Sequence, residues 1–280
     1  MTALHLTTGK KMHTPALALT MLMVGWVSST AVFAATPPDP PTHSRQPAIG
    51  IIIDDMGNLE QRDKRALQLP GPITFAFLPR TPHARKLAEL AHQLNKEVML
   101  HLPMQPIENN KVGPGALTLH MTARQFEQQL TLDFAAIPHI VGINNHMGSL
   151  LTQHPGHMQW LMTALSKRED LYFVDSYTSK NSIAQQLANE NHIPNMRRDV
   201  FLDHDRNPDT IRFHLQRLIN KARKNGTALA IGHPFPETIA VLKEELPKLH
   251  AQGIILLPVS QLVHRTLKKR STSWQASLSR

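Results

Sequence analysis

The chain has 280 residues, 41% of them apolar and 18% charged, with a formal net charge of +9 and no cysteine. That is enough apolar material for a sizeable core, and it excludes disorder, collagen-like repeats and a disulfide-stapled fold. Without thiols there is no Cys-ligated zinc, no thiolate nucleophile and no lipidated cysteine, so any metal must be held by His, Asp or Glu, for which 17 histidines are available.

Lys10 and Lys11 precede an uncharged run from Thr14 to Ala35. Its densest apolar part, Ala16 to Val27, is shorter than the ~20 residues a spanning helix needs. Val32-Phe33-Ala34 offers the small residues of a signal-peptidase site. Residues 1–34 therefore read as a signal peptide of an exported chain, with an uncleaved N-terminal anchor as the alternative. Removing them leaves 28 basic against 21 acidic residues. Arg265, Lys268, Lys269, Arg270 and Arg280 lie at the other end with no acid among them, and without these the balance is 23 against 21. A near-neutral body with 5% aromatic residues argues against a nucleic-acid partner. Membrane contact is then expected only through an uncleaved signal or the basic tail.

Five prolines between Ala35 and Pro47 predict an extended linker over residues 35–47. From Ala48 onward, short aliphatic runs alternate with helical periods. The predicted strands are Ala48–Ile53, Ile73–Phe77, Val98–Leu100, Ile140–Ile143, Leu171–Val174, Val200–Leu202, Ala228–Ile231 and Ile254–Pro258. Their continuous apolarity suits buried parallel strands. Between them, helical faces are predicted from Ala84, Leu87, Ala88 and Ala91; from Phe126, Leu130 and Phe134; from Ile211, Leu215, Leu218, Ile219 and Ala222; and from Ile239, Leu242, Leu246 and Leu249. Thr122 with Gln125 fits a capping box, and Asn207-Pro208 fits an N-cap followed by proline. A closing helix is predicted over Ser260–Lys269, with a solvated basic tail from Arg270. The fold class is thus α/β, a (β/α) barrel of seven to eight parallel strands over residues 48–263, followed by a basic segment over 264–280. No dinucleotide or P-loop fingerprint is present.

Polar residues follow each strand: Asp54-Asp55, His101, Asn144-Asn145-His146, Asp175, Asp203 and His233. In a parallel barrel the carboxyl ends of the strands share one face, where active sites sit. Three histidines and an Asp pair at corresponding positions form the N/O donor set of a catalytic zinc-type site with a position left for water. Adjacent side chains leaving a strand point to opposite sides, so one carboxylate of the pair can bind metal while its neighbour acts elsewhere in the site. The alternative for this pair is a helix N-cap before Asn58. His83, His92, His139, His154, His157 and His214 read as surface histidines.

The motifs Ile52-Ile53-Asp54-Asp55-Met56-Gly57, His101-Leu102-Pro103-Met104-Gln105-Pro106, Gly142-Ile143-Asn144-Asn145-His146-Met147-Gly148-Ser149, Phe173-Val174-Asp175-Ser176 and Ile231-Gly232-His233-Pro234 together resemble the divergent polysaccharide deacetylase family. This is a bacterial branch of the NodB-type carbohydrate esterases. The resemblance implies a distorted (β/α) barrel, an N-acetylated polysaccharide or other glycan as substrate, a periplasmic or cell-envelope location and a divalent metal, zinc foremost. It further implies Asp54 as general base, Asp55 as metal ligand and His233 as general acid. The H-x-x-x-H segment of that superfamily is broken here by Gln105, so His146 is expected to join Asp55 and His101 as ligand. Its arginine-containing motif finds no clear counterpart. Asn145, Asp175 and Asp203 are candidates for the surroundings of the site, the two aspartates either orienting His233 or lining the sugar cleft. An envelope glycan-binding or scaffolding protein that keeps the barrel and the metal without turnover is the competing expectation. An amidohydrolase-type site would begin with H-x-H at the first strand, which Ile51 to Asp55 lacks.

Overall fold

The computed structural model describes residues 46–108, 111–168 and 170–278, with side chains as far as Lys269. The expected signal peptide (1–34), and the expected linker (35–47) except its last two residues, lie outside the described residues. The elements in chain order are β1 (Ala48–Met56), α1 (Glu60–Leu67), β2 (Thr74–Phe77), α2 (Ala84–Gln93), β3 (Glu97–Met104), α3 (Ala123–Ala136), β4 (Ile140–Met147), α4 (Pro155–Ser166), β5 (Tyr172–Asp175), α5 (Ala184–Glu190), β6 (Asn195–Arg197), β7 (Val200–Phe201), α6 (Pro208–Asn225), β8 (Thr227–Gly232), α7 (Pro236–Glu245), β9 (Ile255–Leu256) and α8 (Val259–Leu278). No helix among the described residues is long and apolar enough to cross a membrane.

All the paired strands run parallel, in the order β6-β5-β4-β3-β2-β1-β8-β7, with β9 against the start of β1. Residues of β1, β2, β3, β5, β6 and β8 meet in one interior cluster, so the sheet curls into a distorted barrel, and its two outer strands, β6 and β7, are neighbours in sequence. The chain crosses this seam in two residues. Arg198 N donates to Asp175 O on the β5 side, and Asp199 N donates to Leu229 O on the β8 side. Strand β6 is absent from the sequence prediction because Asn195-Met196-Arg197 is short and polar, and only its pairing with β5 makes it a strand.

Strands β1, β3 and β4 run past their apolar segments. β3 and β4 stay in register through His101↔Asn144, Leu102↔Asn145 and Pro103↔His146. The hydrogen-bond ladder does not stop where hydrophobicity stops, so the polar residues expected after the strands belong to them.

Alternation along each strand sorts residues between two cores. Ile49, Ile51 and Ile53 face outward to the helices, while Ala48 and Ile52 face the barrel interior. The same parity puts Leu100 outside and Met99 inside, and Ala230 outside with Leu229 and Ile231 inside. Continued upward, it aims Asp54, His101 and His233 into the barrel mouth. At the opposite end the interior is closed by Val259, Leu262 and Val263 of α8. A Cβ on Gly50 would come within 2.9 Å of Leu262 Cδ2, so glycine admits this plug. The Glu97 carboxylate accepts from Thr74 Oγ1 (2.9 Å), Tyr172 OH (2.8 Å) and Ser260 N (3.1 Å), anchoring the N-terminus of α8.

The capping box at Thr122 and Gln125 and the Asn207 cap before Pro208 form as predicted. Three expectations need correction. Helix α8 runs from Val259 to Leu278, so the boundary expected at Val263 falls inside a helix, and the backbone from Arg270 continues it instead of forming a tail. His157 and His214 are buried, because they lie on the inward faces of α4 and α6; His157 packs against Phe126 and Trp160. The helix after β1 starts at Glu60 with Leu59 as N-cap and no side-chain cap, so the Asp pair is not a capping pair.

Candidate active site

Asp54 and Asp55 lie in the same site, although strict alternation would separate them. Asp55 adopts φ 56°, and the register between β1 and β2 shifts between Ile53 and Met56. The left-handed turn, which Asp tolerates better than most residues, swings the second carboxylate round beside the first. Arg62 Nη2 donates to Asp55 O (3.0 Å), and Arg62 Nε to buried Asp63 Oδ1 (2.8 Å). Asp63 Oδ2 in turn accepts from Gly57 N (2.7 Å). At Gly57, with φ 116°, a Cβ would meet Thr81 Oγ1 at 2.2 Å. This clamp fixes the turn that presents Asp55.

Asp55 Oδ1 lies 3.2 Å from His101 Nε2 and 3.1 Å from His146 Nδ1, and the two ring nitrogens are 3.1 Å apart. Asp55 Oδ1 is buried and has no hydrogen-bond donor with acceptable geometry. His101 Nδ1 bonds Asn144 Oδ1 at 2.9 Å. A neutral ring that keeps its proton on Nδ1 for this bond presents the Nε2 lone pair to the centre. A carboxylate oxygen without a hydrogen bond, facing two imidazole nitrogens that have only each other, fits a cation, and these are the residues whose ligand atoms cluster within 4.8 Å among the described residues. Gln105, which stands where the H-x-x-x-H pattern would have its second histidine, accepts instead from Leu119 N at 2.8 Å. His146 occupies the expected third position.

Asp54 is buried beside this set. Its Oδ1 accepts from Asn144 Nδ2 (2.8 Å), and its Oδ2 lies 3.7 Å from His101 Nε2. Burial raises its carboxyl above the ordinary value, against the opposing pull of His101, His233 and Asn144. Burial alone would raise Asp55 too, but the imidazoles of His101 and His146 outweigh it and hold that carboxyl well below the usual range. For His101, burial disfavours the cation, yet Asp54 and Asp55 prevail and push it up to about 9.

His233 completes the opposite side. Its Nδ1 lies 2.9 Å from Asp203 Oδ1, and its backbone N donates to Asp203 Oδ2 (2.6 Å), which also accepts from Thr238 Oγ1 (2.7 Å). Its Nε2 faces Asp55 Oδ2 at 3.8 Å. Burial would lower the imidazole, but the Asp203 carboxylate raises it overall. Asp203 is therefore the orienting partner. Asp175 has the other parity on β5 and points away from the site: its oxygens take Tyr177 N and Ser182 Oγ, each at 2.8 Å. Asn145 also faces away, bonding Met147 O and Ser176 N and thereby tying β4 to the segment after β5.

The sequence reading misses Asn144 as the link between His101 and Asp54, and it misses Arg198. The guanidinium of Arg198 donates to Ser176 O (2.6 Å) and Tyr177 O (3.0 Å) and lies over Phe201, 4.9 Å from the ring centroid. Burial lowers its pKa while the carboxylates of Asp54 and Asp175 raise it. A cation thus acts on Asp54 from the seam, at a place the quoted motifs do not cover. The spacing Arg198-x-x-Phe201 at the start of β7 was the available signal.

Fold and site together define a parallel α/β barrel protein with an Asp/His donor set and flanking acid–base groups at the carboxyl ends of its strands. Residues 51–263 match the family model described as divergent polysaccharide deacetylase. The chain belongs to that family. It is 38% identical over 224 residues to the uncharacterized protein YibQ of Escherichia coli strain K12, a match spanning 80% of this chain and 70% of that protein. It is 36% identical over 204 residues to an uncharacterized protein of Haemophilus influenzae, spanning 73% and 72% respectively. The crystal structure of the uncharacterized protein ATU2773 of Agrobacterium tumefaciens C58 shares the fold, with a TM-score of 0.75 at 24% identity over 80% of this chain and 92% of that one.

Proposed function

We propose that this protein is a metal-dependent hydrolase that removes acetyl groups from an N-acetylated cell-envelope polysaccharide. The observation that carries the reading is the convergence of the Asp55–His101–His146 cluster, whose Asp55 Oδ1 has no hydrogen-bond partner, with buried Asp54 on one side and Asp203-held His233 on the other. Export to the envelope rests on Lys10, Lys11 and the apolar run that follows them.

Asp55, His101 and His146 would hold a divalent cation, zinc foremost. Such an ion supplies Lewis acidity to an acetyl carbonyl and makes water more acidic. Asp54 has one oxygen engaged by Asn144; its Oδ2 takes the proton from the water that attacks the acetyl carbon. His233, whose Nδ1–H donates a hydrogen bond to Asp203, carries a proton on Nε2 and delivers it to the departing amine nitrogen as the C–N bond breaks; the proton held by Asp54 restores the balance when the products leave. Acetate and a free amino sugar result, with no nucleotide or organic cofactor.

The test is acetate release from N-acetylated glycan by the purified protein with and without chelator, alongside its zinc content. Asp55→Asn, His101→Ala and His146→Ala should each lower bound zinc. Undiminished zinc in all three sinks the ligand assignment. Glycan binding without acetate release would identify the non-catalytic envelope protein instead.

A further inference from the structure

Arg212 and Lys248 are tied up in ion pairs, Arg212 with Asp209, Glu244 and Glu245, and Lys248 with Glu244 and Glu245. Around the mouth of the barrel, exposed cations stand beside the groups of the site. The Arg206 Cζ lies 3.7 Å from the centroid of the Phe235 ring, and that ring is 5.4 Å from the ring of His233. Lys111 lines a cavity of about 240 Å³ that also contains Asp55 and His146, on the other side of the site. A third cation, Arg197, lies over Tyr177 at 4.2 Å, at the end of β6. All three are exposed; among the described residues Arg206 and Lys111 pair with no carboxylate, while the charge of Arg197 acts on Asp175. The nearby acid Asp205 is engaged by Asn207 N and Thr210 Oγ1, and Glu108 by Ser149 Oγ.

An arginine seated over an aromatic ring has part of its freedom already spent and keeps N–H donors for an anion that docks against it. Arg206 has that geometry beside the group read here as the proton donor, and Lys111 stands across the cleft from it. We infer that the site takes an acidic N-acetylated glycan, with Arg206 and Lys111 binding carboxylates on the sugars to either side of the acetamido sugar being hydrolysed. This rests on the deacetylase reading for the position of the scissile group, while the choice of an anionic strand rests on the rim alone. Arg206 and Lys111 are specificity residues in this arrangement and take no part in the proton transfers.

The experiment compares binding of two probes to the zinc-loaded protein by calorimetry at low salt: hyaluronan hexasaccharide, which alternates glucuronate with N-acetylglucosamine, and neutral chitohexaose. Two solvent-exposed ion pairs are expected to favour the acidic probe about 5-fold. In the Arg206→Gln/Lys111→Gln double variant, with its fold checked by far-UV circular dichroism, that ratio should fall to about 1, while Arg206→Lys should retain part of it. Equal or tighter binding of chitohexaose, no binding of the acidic probe, or a preference that survives in the double variant would overturn the inference. Acetate release measured on the same probes keeps the two readings apart. An Arg206-dependent preference without acetate refutes the deacetylase and keeps the acidic ligand. Acetate released equally from both, with equal binding, does the reverse.

Discussion

Asp133 on α3 permits a quantitative test of how this barrel tolerates a buried charge. Its side chain is fully buried; Oδ1 accepts from Gln129 Nε2 at 2.9 Å and lies 3.6 Å from Arg80 Nε, while Oδ2 has no donor. Burial pushes the carboxyl up to about 7, with Gln129 and Arg80 pulling against it. The folded state therefore holds this proton more tightly than the unfolded chain does, whose carboxyl titrates near 3.8. The ionised group costs nothing below that pH, costs progressively more as pH rises, and reaches its full penalty above about 7. At 1.36 kcal/mol per pH unit, the full penalty is about 4 kcal/mol. Asp133→Asn cannot ionise and keeps the Gln129 bond, but its new NH₂ occupies a position without a partner, at a cost of about 1–3 kcal/mol. The expected net gain at pH 8 is then about 1–3 kcal/mol, and the variant-minus-wild-type difference should grow by about 2–3 kcal/mol between pH 5 and pH 8. Urea unfolding of both proteins at the two pH values measures this directly. A difference that does not change with pH would refute the reasoning.

Asp203→Asn removes the charge that holds up His233, so the imidazole titration followed by NMR should move to lower pH and acetate release should slow by about 10-fold or more with zinc content retained. Arg198→Met withdraws a cation from Asp54; its carboxyl should rise further and shift the acidic limb of the pH–rate profile upward, with Arg198→Lys restoring part of the shift. Glu97→Ala leaves Thr74, Tyr172 and the start of α8 without their shared acceptor, and should cost about 2–4 kcal/mol in urea unfolding while zinc content stays unchanged.

Much of this molecule is legible in local pattern. Apolar runs such as Ile49 to Ile53 and helical faces such as Ile211 to Ala222 report burial directly, because burial is what their side chains are selected by in any parallel α/β fold. The ordered motifs at the strand ends also bring Asp54, Asp55, His101, His146 and His233 together, since parallel topology puts those ends on one face. Strand parity carries the orientation onward: Asp54 and His101 follow Ile52 and Met99 by two and share their inward side, while Asp175 follows inward-facing Val174 by one and turns away.

Tertiary structure decided what depends on pairing and on backbone turns. The left-handed Asp55 brings two adjacent carboxylates to one centre, which alternation forbids and only the bulge and the Arg62–Asp63 clamp permit. Strand β6 exists because β5 is there to pair with it, and the two-residue crossing after it carries Arg198 to the seam, close enough to act on Asp54. Of two aspartates with equal standing in the sequence, Asp203 meets His233 and Asp175 does not. A sequence encodes which side chains are polar and how they alternate, but a distance of 2.9 Å between residues thirty apart is set by the strands that carry them.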